Sequence, residues 1–235
     1  MDISNYTTIT RQAGLMREME AIANNIANAA TTGFRQEGMM FSEYLVSTMN
    51  DSVSMAHANL SRTDFSQGAL VQTGNQIDLA LQGQGYFAVA TQDGQRLTRN
   101  GAFSILETGQ MVTNDGYSVL DMGGGPLFVP PDVANFTVGG DGTISDGERI
   151  LGQVGVLQPA ENSTLIREDG VLFKVVGDTE IAIDTKILQG FLEKSNTDPV
   201  QQMARMIAVQ RAYEIGQSFQ ETEDKRVRSV AQAIS

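Results

Sequence analysis

The two ends of the chain carry one pattern of apolar positions and the middle carries another. Near the N-terminus, Leu15, Met19, Ile22, Ile26 and Ala29 recur at spacings of 4, 3, 4 and 3. This is the period of a helix with a narrow apolar seam, like that of a coiled coil. Gly33 follows and predicts the end of that helix, with glycine at the C′ position where φ is positive. Near the C-terminus, Asp198-Pro199-Val200-Gln201 reads as a helix start. Aspartate caps, proline suits the first turn, and Gln201 is placed to reach back. Met203, Met206, Ile207 and Tyr213 then recur at helical spacing, with Val227, Val230 and Ile234 further on. Residues 217–224 are mostly polar and thin the apolar face.

Between the ends the period changes. Short apolar runs such as Tyr86-Phe87-Ala88-Val89, Val154-Gly155-Val156-Leu157 and Leu172-Phe173-Lys174-Val175-Val176 alternate with turn signals. Asp-Gly begins at 93, 115, 141, 146 and 169, and Asn100-Gly101 adds another. These dipeptides favour two-residue hairpin turns in which both central positions take positive φ. The middle therefore reads as a meandering all-β domain, with irregular connections at Gly123-Gly124-Gly125-Pro126 and Pro130-Pro131. Residues 34–73 are the least legible. Phe41, Tyr44, Leu45 and Met49 fit either a short helix or an irregular strand, and the polar stretch 50–62 reads as loop.

The fold class is thus α+β, with long N- and C-terminal helices, a connecting region and an all-β outer domain. The boundaries are an N-terminal helix over 1–33, a connecting region over 34–75, a β domain over 76–185, a second connecting stretch over 186–197 and a C-terminal helix over 198–235. The β domain is long enough to hold its own core and is expected to fold alone.

Composition sharpens this division. Residues 74–190 hold 19 of the 24 glycines, and the net charge of −12 lies almost wholly between 34 and 198. An acidic chain of this kind is a poor partner for nucleic acid, which is bound by Lys and Arg. There is no cysteine and one histidine, His57. That excludes disulfides, thiolate metal sites and multi-histidine metal centres. His57 sits in a polar stretch and reads as an exposed bystander. Five aspartates are explained by their Asp-Gly turns, which weakens any paired-carboxylate hydrolase reading. The segment 141–152 has Asp146 where a calcium loop needs glycine and Gly152 where it needs glutamate. Gly83-Gln84-Gly85 lacks the third glycine of a dinucleotide motif. No catalytic, cofactor-binding or metal-binding residue is expected. No apolar run has the roughly 20 residues of a membrane span, and no secretory signal pattern opens the chain. The chain is either cytoplasmic or exported by a route that needs no such signal.

A seam of about two residues in seven is too narrow to bury a helix in an ordinary core. Gly14 and Gly216 weaken the helices further, and three asparagines in five residues (Asn24, Asn25, Asn28) need a reason. Either these amides are solvated at a frayed end or they bond neighbouring helices and fix their register. The terminal helices either pair within one chain or build a layer from many chains. In a lone subunit they are expected to be largely disordered, because the seam buries little to offset their conformational entropy. A monomeric β-domain scaffold on a helical stalk is the remaining alternative.

Several segments carry a resemblance. Asn24-Asn25-Ile26-Ala27-Asn28-Ala29-Ala30-Thr31-Thr32-Gly33-Phe34-Arg35 resembles the N-terminal signature of bacterial flagellar rod and hook proteins. Asp64-Phe65-Ser66-Gln67-Gly68-Ala69-Leu70 and Asp78-Leu79-Ala80-Leu81-Gln82-Gly83-Gln84-Gly85-Tyr86-Phe87 resemble the family's entry into its outer domain. Thr98-Arg99-Asn100-Gly101-Ala102-Phe103 and Gly109-Gln110-Met111-Val112-Thr113 follow in family order. Leu188-Gln189-Gly190-Phe191-Leu192-Glu193-Lys194-Ser195-Asn196 and Gln210-Arg211-Ala212-Tyr213-Glu214 resemble its C-terminal signature. Hook proteins are much longer, and distal-rod members usually carry a Gln-Ile-Gly-x-Gly-Val run that is absent from residues 44–64. The chain therefore resembles the proximal-rod branch.

The resemblance implies a structural subunit of the basal-body rod whose terminal helices line a hollow shaft while the β domain faces outward. It implies other proximal and distal rod subunits and the flagellar type III export apparatus as partners. It implies a periplasmic location without a cleavable signal. Leu15, Met19, Ile22, Asn24, Asn25, Ile26, Asn28, Gly33, Phe34, Met203, Met206, Ile207, Gln210 and Tyr213 are the expected subunit-interface residues.

Overall fold

The computed structural model describes the backbone of residues 3–47, 52–133 and 135–234, and the side chains of 8–40, 62–133, 135–226, 228–229 and 232. Met49 and Asn50 lie outside the described residues. So do the side chains of Phe41, Tyr44, Leu45, His57, Val227, Val230 and Ile234.

Helix α1 spans Ile3–Ala27, and the long strands β1 (Glu37–Ser47) and β2 (Ser52–Thr63) follow it. Next come β3 (Leu70–Gln72), β4 (Leu79–Gln82), β5 (Tyr86–Thr91), β6 (Gly94–Thr98), β7 (Phe103–Ile105), β8 (Met111–Thr113) and β9 (Ser118–Val119). Then follow β10 (Thr137–Val138), β11 (Thr143–Asp146), β12 (Arg149–Gln153), β13 (Val156–Pro159), β14 (Thr164–Asp169), β15 (Leu172–Val176) and β16 (Thr179–Ile181). Strands β17 (Lys186–Gln189) and β18 (Phe191–Glu193) lead to α2 (Pro199–Ile234). The chain is α+β.

It divides into two compact units. The first holds residues 1–29, 36–64 and 197–235, and the second holds 30–35 and 65–196. In the first, β1 and β2 form an antiparallel hairpin from Glu37↔Thr63 to Ser47↔Ser52, with a register shift between Met40 and Phe41. The loop expected over 50–62 is therefore a strand from Ser52 onward. A two-stranded ribbon is marginal alone, and this one lies along α1 in the same unit. That packing, distant in sequence, overrides the weak local signal.

Helix α1 ends at Ala27, six residues before Gly33. The expected stop at 33 is thus displaced. The Asn28 side-chain amide donates to the Asn24 carbonyl at 2.9 Å, and the Ala29 N–H turns back to Ile26 at 3.2 Å. These bonds take up carbonyls of the last turn. Gly33 does have positive φ, +70°, but in a later turn. At the other end the expected aspartate cap and proline start are in place. Asp198 Oδ1 accepts the N–H of Val200 at 2.9 Å and of Gln201 at 3.3 Å, with Pro199 opening the helix.

In the second unit the main sheet runs β14-β15-β6-β5-β9-β8-β7, and β13 pairs with both β5 and β16. Strand β5 shows why its run is apolar throughout. Phe87 enters the larger core with Leu79, Met111 and Ile144, and Val89 on the same face is fully buried, whereas Tyr86 and Ala88 enter a second core with Leu97 and Phe173. Successive side chains of a strand point to opposite faces, so a strand covered on both faces has no polar side. Phe87 meets Phe103 edge-on at 5.1 Å in the larger core.

Two turn expectations need correction. Gly94, Gly116, Gly142, Gly147 and Gly170 all have positive φ, but no described non-glycine residue does. The aspartates before them therefore stay in ordinary conformations, and each turn needs one left-handed residue rather than two. Asn100-Gly101 is no hairpin turn, since β6 and β7 do not pair. Gly101 is required by crowding, because a Cβ there would sit 1.6 Å from the Leu79 carbonyl oxygen. The Asn100 side chain instead accepts the Ala102 N–H at 3.0 Å.

Candidate assembly interface

In the first unit α1 and α2 pair within the chain. Leu15 and Ile22 meet Val209 at the buried centre, with Met19, Ile26, Met206, Ala212 and Tyr213 packed around them. Six expected interface residues thus gather in one intrachain seam: Leu15, Met19, Ile22, Ile26, Met206 and Tyr213. The buried stripe of α1 differs from the apolar reading, for it runs Leu15, Glu18, Ile22, Asn25. Glu18 pairs with Arg205 Nη2 at 2.6 Å and accepts from its Nε at 2.8 Å. Asn25 is fully buried. It donates to the Glu37 carbonyl at 2.7 Å and to Gln202 Oε1 at 3.3 Å, and it accepts the Glu37 N–H at 2.8 Å. One of the three asparagines therefore ties the helices and the hairpin together. On the helix surface the Asn28 amide donates to the carbonyl and the side-chain oxygen of Asn24. Sequence reading passed over Glu18, Gln202 and Arg205. The signal was a polar stripe at the same helical spacing, one residue before the apolar one.

The other face of the pair remains open. Met203 and Ile207 are 50% and 52% exposed, and Val200, Ile215 and Phe219 are exposed with them on α2. Ile9 and Met16 are exposed on α1. Gln210 is solvent-facing and donates to Glu214 at 3.3 Å on its own helix. A groove of about 420 Å³ runs between the helices beside Leu15, Ala212, Ile215 and Phe219. Gly216 lies in its floor, where an added Cβ would touch the Gln12 side chain at 3.4 Å. No described helix is long and apolar enough to cross a membrane.

Gly33 and Phe34 belong to the second unit and mark a different construction. The Gly33 N–H donates to the Glu193 carbonyl at 2.8 Å, and the Phe34 carbonyl accepts the Asn196 N–H at 3.4 Å. The N- and C-terminal signature segments thus lie side by side. Phe34 is fully buried, under the guanidinium of Arg167 at 4.6 Å. Beside it Arg35 and Glu193 are both fully buried, with Nη1 and Oε1 2.6 Å apart. Arg99 reaches the other carboxylate oxygen at 3.2 Å, and Gly68 donates its N–H to Oε1 at 2.8 Å. Arg99 also donates to the Gly83 carbonyl at 2.7 Å and stacks over Tyr86 at 5.0 Å. Burial lowers the Arg99 pKa against the pull of Glu193 and raises that of the Tyr86 phenol. Apart from Arg167, the residues of this clamp stood in the quoted signatures. Glu193 lies 158 positions from Arg35, 125 from Gly68 and 94 from Arg99, separations that no local pattern carries.

Comparison with known proteins accords with these features. The family described as flagella basal body rod protein matches residues 6–35. The flagellar hook protein FlgE/F/G D1 domain matches 80–146, and the flagellar basal body rod FlgEFG protein C-terminal family matches 188–233. The chain is 36% identical over 217 residues to the flagellar basal-body rod protein FlgF of Mesorhizobium japonicum, covering 91% of this chain and 90% of that one. It is 38% identical over 221 residues to FlgF of Caulobacter vibrioides, with the same coverage. It is 31% identical over 252 residues to the rod protein FlgG of Bacillus subtilis, covering 94% and 95%. With the helices at both ends, the clamp between the signatures and these relatives taken together, the chain belongs to the FlgF family of flagellar basal-body rod proteins.

Proposed function

We propose that this chain is a structural subunit of the proximal rod of the flagellar basal body, without enzymatic activity, and that it polymerises through its terminal helices. Copies and other rod subunits, proximal and distal, pack their helices into a coiled-coil-like inner layer of a hollow shaft in the periplasm. The subunits reach it through the flagellar type III export apparatus, without a cleavable signal. The observation that carries this reading is the open apolar face of α2, formed by Val200, Met203 and Ile207 opposite the intrachain seam. Water-exposed apolar side chains in register along one helix face mark an interaction surface.

The intrachain seam also supports assembly as the source of helix stability. Among the described large apolar side chains of α1 and α2, only Leu15, Ile22 and Val209 are buried. Full burial of such a side chain contributes about 1.5–3 kcal/mol, whereas each ordered backbone residue costs about 1–2 kcal/mol. Packing against neighbours supplies the missing burial. Met203 and Ile207 are then interface residues directly, while Leu15, Met19, Ile22 and Met206 shape the pair that presents them. The test is rod assembly by an Ile207→Asp variant. Wild-type rods and motility would refute the role of this face.

A further inference from the structure

One corner of the second unit is apolar and open. The hairpin of β7 and β8 ends there. Ile105 and Met111 face each other across it and pack in the larger core. The next rung, Leu106 opposite Gln110, points the other way, since successive side chains of a strand alternate. Gln110 in turn bridges Phe128 in antiparallel register, between Leu127 and Val129, which are buried in the core. Leu106 and Phe128 therefore share the outer face, 47% and 49% exposed. A groove of about 350 Å³ runs between Phe128 and Ile150, which is 71% exposed near the start of β12. Pro130 walls that groove and also a second one of about 530 Å³, lined by Ile77, Pro131 and Val133. Single exposed apolar side chains are ordinary. Three large ones from separate parts of the chain, gathered around two adjoining grooves, mark an interaction surface.

The surround is acidic. Glu107, Asp132 and Glu148 stand exposed beside Leu106, Pro131 and Arg149 in the chain, and Asp121 lines the smaller groove. Arg149 is the one cation among the residues that line either groove. We propose that this corner docks a basic protein segment, which sets large apolar side chains into the grooves and flanks them with lysine or arginine. Charge complementarity selects that occupant. The apolar walls supply contact area, and the carboxylate rim attracts cations and repels anions. Residues 30–35 and 65–196 hold 16 acidic against 8 basic residues, and three of the basic ones, Arg35, Arg96 and Arg99, are buried. The second unit of another copy is therefore repelled, as is nucleic acid or an anionic lipid surface. The surface belongs to the second unit alone and does not depend on how the helices assemble.

The test uses the full chain and a fluorescein-labelled peptide in which lysine alternates with leucine and phenylalanine. The same peptide with glutamate in place of lysine is the control. Anisotropy titrations are expected to show the lysine peptide binding at least about tenfold more tightly than the control. Phe128→Ser and Ile150→Ser should each weaken it about tenfold, the loss of one well-buried contact at an interface. Both side chains are exposed, so each variant should melt within about 2 °C of wild type. Ile166→Ser, at an isoleucine 51% exposed on β14, should leave binding unchanged. Glu107→Gln combined with Asp132→Asn should weaken binding about threefold at low ionic strength, with the difference screened away at high. Equal binding of the two peptides overturns the charge selection. An equal loss in Ile166→Ser, or no loss in Phe128→Ser and Ile150→Ser, shows a probe held by the acidic exterior at large and overturns the corner. Self-association of the chain without peptide, seen by sedimentation and removed by Ile150→Ser, overturns the basic partner in favour of a second copy.

Discussion

Replacing Glu193 by glutamine isolates the charge at the centre of the clamp. The substitution keeps the side chain's shape and an Oε1 that still accepts the Gly68 N–H. It removes the negative charge that stands 2.6 Å from Arg35 and 3.2 Å from Arg99, both inaccessible to solvent or nearly so. Two buried guanidinium groups then face each other without a counter-ion. Leaving one partner of a buried ion pair uncompensated costs about 3–5 kcal/mol. For a chain of this size each kcal/mol moves the melting temperature by about 2–4 °C, so a fall near 10 °C is expected. Arg35→Met removes one of the two cations and leaves Arg99 and Glu193 as a one-to-one pair. It also removes donors that have no acceptor, so it should cost less than half as much. In the double variant the Arg35→Met change should recover part of the Glu193→Gln loss, a coupling that a thermodynamic cycle measures. Thermal or urea denaturation of the four proteins gives the answer. A Glu193→Gln cost below about 1 kcal/mol, or an Arg35→Met cost equal to it, would refute the view that one carboxylate balances both arginines.

Ile22→Asp and Ile207→Asp should differ: Ile22 is 4% exposed in the intrachain seam and Ile207 52% exposed outside it. Both should abolish rods in electron micrographs, but only the first should remove whatever helicity the terminal segments keep in the isolated subunit, read by circular dichroism. Gly33→Ala places a Cβ 2.4 Å from the Arg99 carbonyl carbon in a left-handed conformation, whereas Gly116→Ala at φ +84° meets nothing within 4 Å. Gly116→Ala should cost about 1–2 kcal/mol and Gly33→Ala clearly more, read from denaturant midpoints. A hydrogen bond from Arg96 holds the Glu168 carboxyl below its usual pKa. Its stabilising contribution should therefore be present at neutral pH and fall away as pH drops through that depressed pKa, which carboxyl NMR titration of wild type and Arg96→Met would show. A fragment of residues 76–185 lacks β17 and β18, the partners of β4 and β3, and should melt well below a fragment of residues 30–196.

What the sequence made legible was local. The helix start at Asp198 is a capping event among four neighbours, and the two-sided apolar run of β5 states its burial directly. The hairpin of β1 and β2 was illegible because it packs along α1, and the alternation of its second strand is weak: Val53 and Met55 fall on one parity and Ala56, Ala58 and Leu60 on the other, two of them small alanines. Gly33 was correctly marked for positive φ but assigned to the wrong cause. Its conformation serves a close approach to the Arg99 backbone, not the end of a helix. In the candidate interface the spacing identified the seam but not its partner, since apolar periodicity cannot distinguish a helix of the same chain from that of another. Glu18 was hidden for a related reason, and Asn25 was marked among three asparagines but not distinguished from the other two. A buried polar residue is recognisable only once its acceptor is in place.

Strands β3 and β18 lie antiparallel, from Phe191↔Gln72 to Glu193↔Leu70. The chain therefore enters and leaves its β unit through adjacent rungs of one ladder. Everything between residues 72 and 191 hangs from that doorway, and the separation of the two jambs is independent of what lies beyond them. Loop closure grows costlier only slowly with length, about 0.6 kcal/mol per doubling. Extra residues placed in an outlying turn such as Gly123-Gly124-Gly125-Pro126 would therefore enlarge the ornament without moving the frame. One pair of strands can in this way carry modules of very different size, each plugged into the same socket.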